Sequence, residues 1–338
     1  MKVLIAGATG ALGVPLVRAL LASGHEVIGL TRTPDTVRKL SALGAQPVVA
    51  DAMDGDSLLR AINGLHADAV VHALTALKKT PLRHRDMYQT NALREVGTAN
   101  LLAAARAVDA RRFVAESMTM GYGYGDWGER VLTEECLFAP PGRSQELERH
   151  LAGFRALERQ VFEATQAGWI EGVSLRFGAF YGPVSIQPIV QMLRRRSLPL
   201  PNGGRAIMSW IYLEDAAAAV VAALERGKAG QVYNIVDDEP VRVRDFFAQL
   251  AQQSHTPMPL SLPAWLMRPA AGYGTDFFTT TMRVSNARAA RELDWRPVAA
   301  PRYKEGIRRA VQEMGQEGIA SGCKCDDLMT AKFDNSMA

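Results

Sequence analysis

Lysine is scarce: the 338-residue chain has 8 lysines against 31 arginines. Chemistry that needs an amine therefore has few places to find one. Cysteine is scarcer still. The three residues Cys136, Cys323 and Cys325 exclude a disulfide framework and fit a reducing cytoplasm. Cys323 and Cys325 form a C-x-C pair with no histidine nearby, too few ligands for a metal centre, and no metal is expected. No run approaches the ~18 apolar residues of a membrane span, so no membrane partner is expected. Aromatics, at 7%, are too sparse for a platform that stacks single-stranded nucleic acid. A net charge of +4 is too weak to call for a nucleic-acid partner. Lys2 and the apolar residues after it are interrupted at once by glycine, which fits a buried strand rather than a secretory leader. What is present is a globular composition, 48% apolar and 22% charged. The length allows one large α/β domain or two smaller ones.

The first thirty residues read strand, glycine turn, helix, strand. Lys2 to Ala6 is an aliphatic run. It enters Gly7-Ala8-Thr9-Gly10-Ala11-Leu12-Gly13, after which Val14, Leu16, Val17, Leu20 and Leu21 recur at helical spacing and Gly24 ends the helix. Glu26 to Leu30 is a second strand. This is the context a dinucleotide fingerprint requires. Gly7 permits the tight turn, Gly10 lets the backbone approach a pyrophosphate, and Gly13 lets helix and strand pack closely. The helix N-terminus then offers its N–H groups to the phosphates. At the end of the second strand an acid would bond the ribose 2′-OH of NAD; here Thr31 stands in its place and Arg32 follows. A guanidinium suits a 2′-phosphate, so NADP(H) is preferred over NAD(H).

The GATGALG spacing resembles the extended branch of the short-chain dehydrogenase/reductase superfamily, whose members include NAD-dependent epimerases and dehydratases. The resemblance runs over about residues 1–312. It implies a Rossmann-like, doubly wound parallel sheet with a smaller, discontinuous C-terminal substrate domain. The expected boundaries are 1–178 with about 206–237 for the cofactor domain, and about 179–205 with 238–312 for the substrate domain. A polar tail, 313–338, follows. The third strand, Val48 to Ala52, delivers Asp51 and Ala52 to the adenine. The fourth, Ala69 to Leu74, delivers His72, Ala73, Leu74 and Thr75 to the ribose and nicotinamide. Phe177 and Gly178, in a segment similar to the family's R-x-G-x-x-Y-G-P, are expected beside the nicotinamide.

The middle of the chain departs from that pattern. An active-site asparagine normally lies three residues before the Gly97-Thr98 pair; here that place is Arg94, with Asn91 one helical turn earlier. Four residues before Tyr122, where the family carries a catalytic hydroxyl, stands Met118, flanked by Ser117 and Thr119. The family's Tyr-x-x-x-Lys pair, in which the tyrosine moves the proton and the lysine holds the nicotinamide ribose, is absent: none of the 8 tyrosines has a lysine four residues later. Aligned on Glu158, the lysine place is Phe154 and the tyrosine place is His150, a side chain able to move protons near neutral pH. Ser117, Thr119, Tyr122 and His150 are therefore the candidate catalytic residues, and Met118, Phe154, Phe180, Tyr181 and Trp210 the candidate substrate-lining ones. That apolar set favours a small hydrophobic or aromatic substrate.

The expected activity is NADP(H)-dependent oxidoreduction of a carbonyl or alcohol. The alternatives are an epimerase or dehydratase that recycles its hydride, and a non-catalytic NADP(H)-sensing or scaffold protein. The expected partner is a small-molecule substrate. Homodimerisation is common in such folds, although no feature of the sequence requires it.

Overall fold

Seven parallel strands form the centre of the molecule: β1 (Lys2–Ala6), β2 (Glu26–Thr31), β3 (Gln46–Val49), β4 (Ala69–His72), β5 (Arg112–Met118), β6 (Glu171–Phe177) and β7 (Val232–Ile235). The computed structural model describes the backbone of residues 1–77, 79–300 and 302–330, and side chains as far as residue 316. Strand order across the sheet is β7-β6-β5-β4-β1-β2-β3. The order reverses at β1, between β4 and β2, so a crevice opens there at the strands' C-terminal ends. Doubly wound sheets bind their ligands at such a switch point.

The strands are nearly continuous aliphatic runs because helices cover both faces. One face carries α1 (Gly13–Ala22); the opposite face carries α3 (Gly55–Ala61) and α5 (Thr98–Ala107). Between them in sequence lie the short α2 (Val37–Ala42) and α4 (Tyr88–Ala92). From α4 the helix runs into α5 through one wider π-type turn, Leu93–Gly97. The long α6 (Gln145–Gln166) joins α5 on its face of the sheet. Then come α7 (Pro183–Arg194), α8 (Leu213–Arg226), α9 (Val243–Gln253), α10 (Ala264–Thr279), α11 (Ala287–Glu292) and α12 (Tyr303–Thr330). Helix α8 returns to the face that carries α1. A separate core gathers α7, α9 and α12 around Tyr181, Trp210 and Phe246.

Three local expectations differ from the structure. The third strand starts and stops earlier than expected, at Gln46–Val49, because Asp51 heads a turn: its carboxylate accepts from Met53 N–H and its carbonyl from Asp54 N–H. Pro47 fits there because β3 is the edge strand. The fourth strand stops at His72 rather than Leu74. The expected tail runs on as helix α12 to Thr330. The side chains of Cys323 and Cys325, and residues 331–338, lie outside the described residues. Among the described residues no helix is long and apolar enough to cross a membrane.

Candidate active site

The glycine cradle sits at the switch point. Gly7 has φ +101°, and a Cβ there would lie 2.1 Å from the Ala73 carbonyl oxygen. At Gly13 a Cβ would lie 2.0 Å from the Gly7 oxygen. Both positions are closed to any side chain, so β1, α1 and the β4 exit are locked together. Gly10 differs: its only near neighbour would be the Gly7 oxygen at 3.2 Å, so its remaining surroundings stay open for a phosphate to approach. Helix α1 has no side-chain cap at its N-terminus, which leaves that end to an anion. These residues fit the pyrophosphate of a dinucleotide.

The other cofactor candidates divide. Arg32 is exposed, and no acid follows β2 until Asp35. The Thr31 hydroxyl is bonded to the Thr36 hydroxyl and points to the Thr33 carbonyl, so it braces the loop that presents Arg32. Asp51 uses one carboxylate oxygen on Met53, and the Ala52 carbonyl accepts from Asn100. The His72 ring turns inward: Nδ1 accepts from Leu74 N–H and Nε2 donates to the Leu93 carbonyl. Burial depresses its pKa to about 4, so it is neutral. Leu74 and Thr75 line the surface after β4. Phe177 is wholly buried beside Phe180, and Gly178 packs against the Ser209 carbonyl.

Helix α6 is pinned from below. Glu158 receives Arg176 through two bonds, Nε to Oε1 at 2.9 Å and Nη2 to Oε2 at 2.7 Å, and a third from Ser174. Arg176 also donates to the Tyr122 hydroxyl, which in turn donates to Asn234. The Tyr122 hydroxyl is thus spent inside this network, and burial raises its pKa to about 12. Ser117 is fully buried and its hydroxyl has no partner; Thr119 is buried in the turn after β5. Met118 reaches partial exposure at the strand end.

Above this anchor, α4 and α6 touch. A Cβ on Gly153 would lie 3.3 Å from that of Asn91, and the closeness lets Asn91 reach the imidazole of His150. Arg94 Nη1 donates to Asn91 Oδ1 at 3.1 Å, which orients the amide so that Nδ2 donates to His150 Nδ1 at 2.9 Å. The His150 proton therefore sits on Nε2, 3.0 Å from His84 Nδ1. His84 Nε2 faces Asp276 at 3.6 Å, and Arg268 pairs with Asp276 at 3.1 Å. Burial first, then the neighbouring His84 and Arg94, hold His150 down to about 4. Tyr273 closes edge-on over its ring.

The place aligned with the lysine is filled from two sides. Phe154 occupies the position on α6, and the Arg94 guanidinium lies 3.9 Å from the centre of its ring. Sequence reasoning placed Arg94 at the asparagine position and gave it no role. It also missed His84, Asp276, Tyr273 and Glu116, whose carboxyl burial raises to about 7. Tyr181 and Trp210 are packed in the C-terminal core, Tyr181 donating to Asp237 and Trp210 stacked on Phe246 at 3.8 Å.

Comparison with known proteins identifies the family and the fold. The model of the NAD dependent epimerase/dehydratase family matches residues 3–236. A Streptomyces protein named 3-diazoavenalumate denitrifying reductase is 34% identical, over 91% of this chain and 100% of its own. A Stigmatella aurantiaca ketoreductase of a farnesylated dihydroquinoline oxide is 27% identical, over 86% of this chain and 85% of its own. The solved UDP-glucose 4-epimerase of Thermotoga maritima superposes with a TM-score of 0.75 at 19% identity, covering 94% of this chain and 100% of that one. At that identity the likeness speaks to the fold.

Proposed function

The chain belongs to the NAD dependent epimerase/dehydratase family, and from that premise we propose that it is an NADP(H)-dependent reductase of a small aromatic molecule. The observation that carries this reading is helix α6. An otherwise complete dinucleotide fold holds, in place of an acid pair, His150 with both ring nitrogens bonded and Phe154 beneath a guanidinium.

Bound NADPH supplies a hydride at nicotinamide C4. The residues of this chain do the rest. Gly10 and the start of α1 receive the pyrophosphate, and Arg32 takes the 2′-phosphate with no acid at position 31 to repel it. Reduction of a carbonyl builds negative charge on oxygen and draws in a proton. An aromatic diazonium carbon that accepts a hydride releases dinitrogen and becomes a neutral C–H, with no oxygen to protonate. His150 is neutral and its Nε2 proton is already committed to His84. That favours an acceptor that asks the protein for no proton, and the Streptomyces relative is named for a denitrifying reduction of a diazo compound. A carbonyl acceptor is the second reading. The observation in its favour is the run His150–His84–Asp276, along which a donated proton would be replaced.

The test is NADPH absorbance with a benzenediazonium salt and with a panel of aromatic ketones and aldehydes, each against the enzyme-free rate, with dinitrogen collected. Consumption coupled to dinitrogen supports the first reading, and consumption only with carbonyls supports the second. No consumption with either overturns the reductase and leaves an internally recycled hydride or a non-catalytic NADP(H)-binding role.

A further inference from the structure

Arg94 is a buried cation that forms no ion pair among the described residues. It is 7% exposed and sits in the π-type turn Leu93–Gly97, a distortion that recurs at functional sites. Of its five donors, Nη1 alone is bonded within the described residues, to a neutral amide oxygen. No carboxylate of the described residues forms an ion pair with it, whereas Arg176, equally buried, is met by both oxygens of Glu158. A guanidinium cannot shed its proton to escape burial, so leaving it unanswered costs several kcal/mol. The groups whose charge reaches it are Tyr273, Tyr124 and Glu116: burial holds the two phenols protonated and raises the Glu116 carboxyl to about 7, so Glu116 answers the guanidinium only in part and without an ion pair.

We propose that Arg94 receives the carboxylate of the substrate, so that the protein selects aromatic acids over neutral aromatics. This rests on the reductase reading above and names its substrate class. The free Nε and Nη2 form an edge that matches two carboxylate oxygens. Tyr124, near enough for the Arg94 charge to act on its phenol, also walls a cavity of about 230 Å³ with Tyr122, Trp127, Pro140 and Arg143, which offers flat apolar surface to a ring. Phe154 behind the guanidinium holds it flat and excludes the water that would otherwise solvate it.

The test is calorimetric titration of the NADP⁺-saturated protein with trans-cinnamate and with its neutral amide, cinnamamide. Wild type binds the acid about tenfold or more tightly than the amide. Arg94→Met removes that ratio while NADPH affinity, read by fluorescence, stays within about twofold; Arg94→Lys keeps part of the ratio. Equal binding of acid and amide by wild type, or binding of neither, overturns the proposal. So does an Arg94→Met protein that loses NADPH affinity and keeps the ratio, because Arg94 would then serve the cofactor. The readout is binding, so a protein that reduces nothing would refute the reductase reading while this comparison still stands or falls by itself.

Discussion

The imidazole of His150 donates to that of His84 across 3.0 Å, and its other nitrogen is held by Asn91 at 2.9 Å. A ring bonded in this way inside the core has no room for a second proton. His72 is in the same condition, accepting at Nδ1 and donating at Nε2 in a fully buried site. Both have folded pKa values of about 4 against an ordinary 6.5. As pH falls from about 6.5 to about 4, the unfolded chain takes up protons that these two rings refuse, so stability falls through that window, by up to about 3 kcal/mol for each. Thermal unfolding followed across that range measures the slope. His150→Gln and His72→Gln should each flatten it. A slope unchanged in both variants would mean the rings protonate freely in the folded protein.

The two outer glycines of the cradle and the middle one should fail differently. Gly13→Val forces a side chain into the Gly7 carbonyl and should lower the melting temperature by many degrees or prevent folding. Gly10→Val meets only one atom, at 3.2 Å, so the protein should fold with near wild-type stability and lose NADPH binding by about 10²-fold or more. Circular dichroism and NADPH fluorescence separate the two outcomes. Retained binding in Gly10→Val would remove the pyrophosphate from this turn.

Arg32 is expected to contribute more to the cofactor preference than Thr31, whose hydroxyl is already bonded to its own loop. Arg32→Ala should therefore abolish the preference for NADPH over NADH, while Thr31→Val should leave most of it. Dissociation constants for both cofactors in the three proteins decide this. Equal affinities in wild type would refute the 2′-phosphate assignment.

The parts of this molecule written in short stretches were legible from the sequence. Lys2–Ala6, the three glycines and the following helix depend on neighbours within about twenty residues, and β1, α1 and β2 fall where periodicity puts them. The site was legible only in pieces. Counting from Glu158 reached His150 and Phe154, and counting from Gly97 reached Arg94. No count reveals that Arg94 lies on the Phe154 ring, because that contact is made by two helices crossing at Gly153. His84 and Asp276 join His150 from segments far apart in the chain. Trp210 and Tyr181, expected as substrate-lining residues, carry a different ambiguity: a large aromatic reads the same in a core as in a cleft, and here they pack on Phe246.

Two buried arginines should respond to the same substitution with opposite economy. Arg176→Met strands the Glu158 carboxylate without its partner, and breaking such a pair costs about 3–5 kcal/mol. Arg176→Met also frees Tyr122 from one of its bonds, and Glu158→Gln strands Arg176 in the same way. The double variant Glu158→Gln, Arg176→Met should lose less than the sum of the singles, since no buried charge is left alone. Arg94→Met removes a cation that forms no ion pair among the described residues and is reached only by the charge of Glu116, whose carboxyl burial raises to about 7. It loses one bond to Asn91 and a ring contact with Phe154, together about 1–2 kcal/mol, and recovers the burial penalty. The ligand-free Arg94→Met protein should thus melt at or above the wild-type temperature, where Arg176→Met melts well below it. Thermal and chemical denaturation of the four variants and wild type without cofactor measures both effects. An Arg94→Met variant as unstable as Arg176→Met would show that the chain itself neutralises this guanidinium.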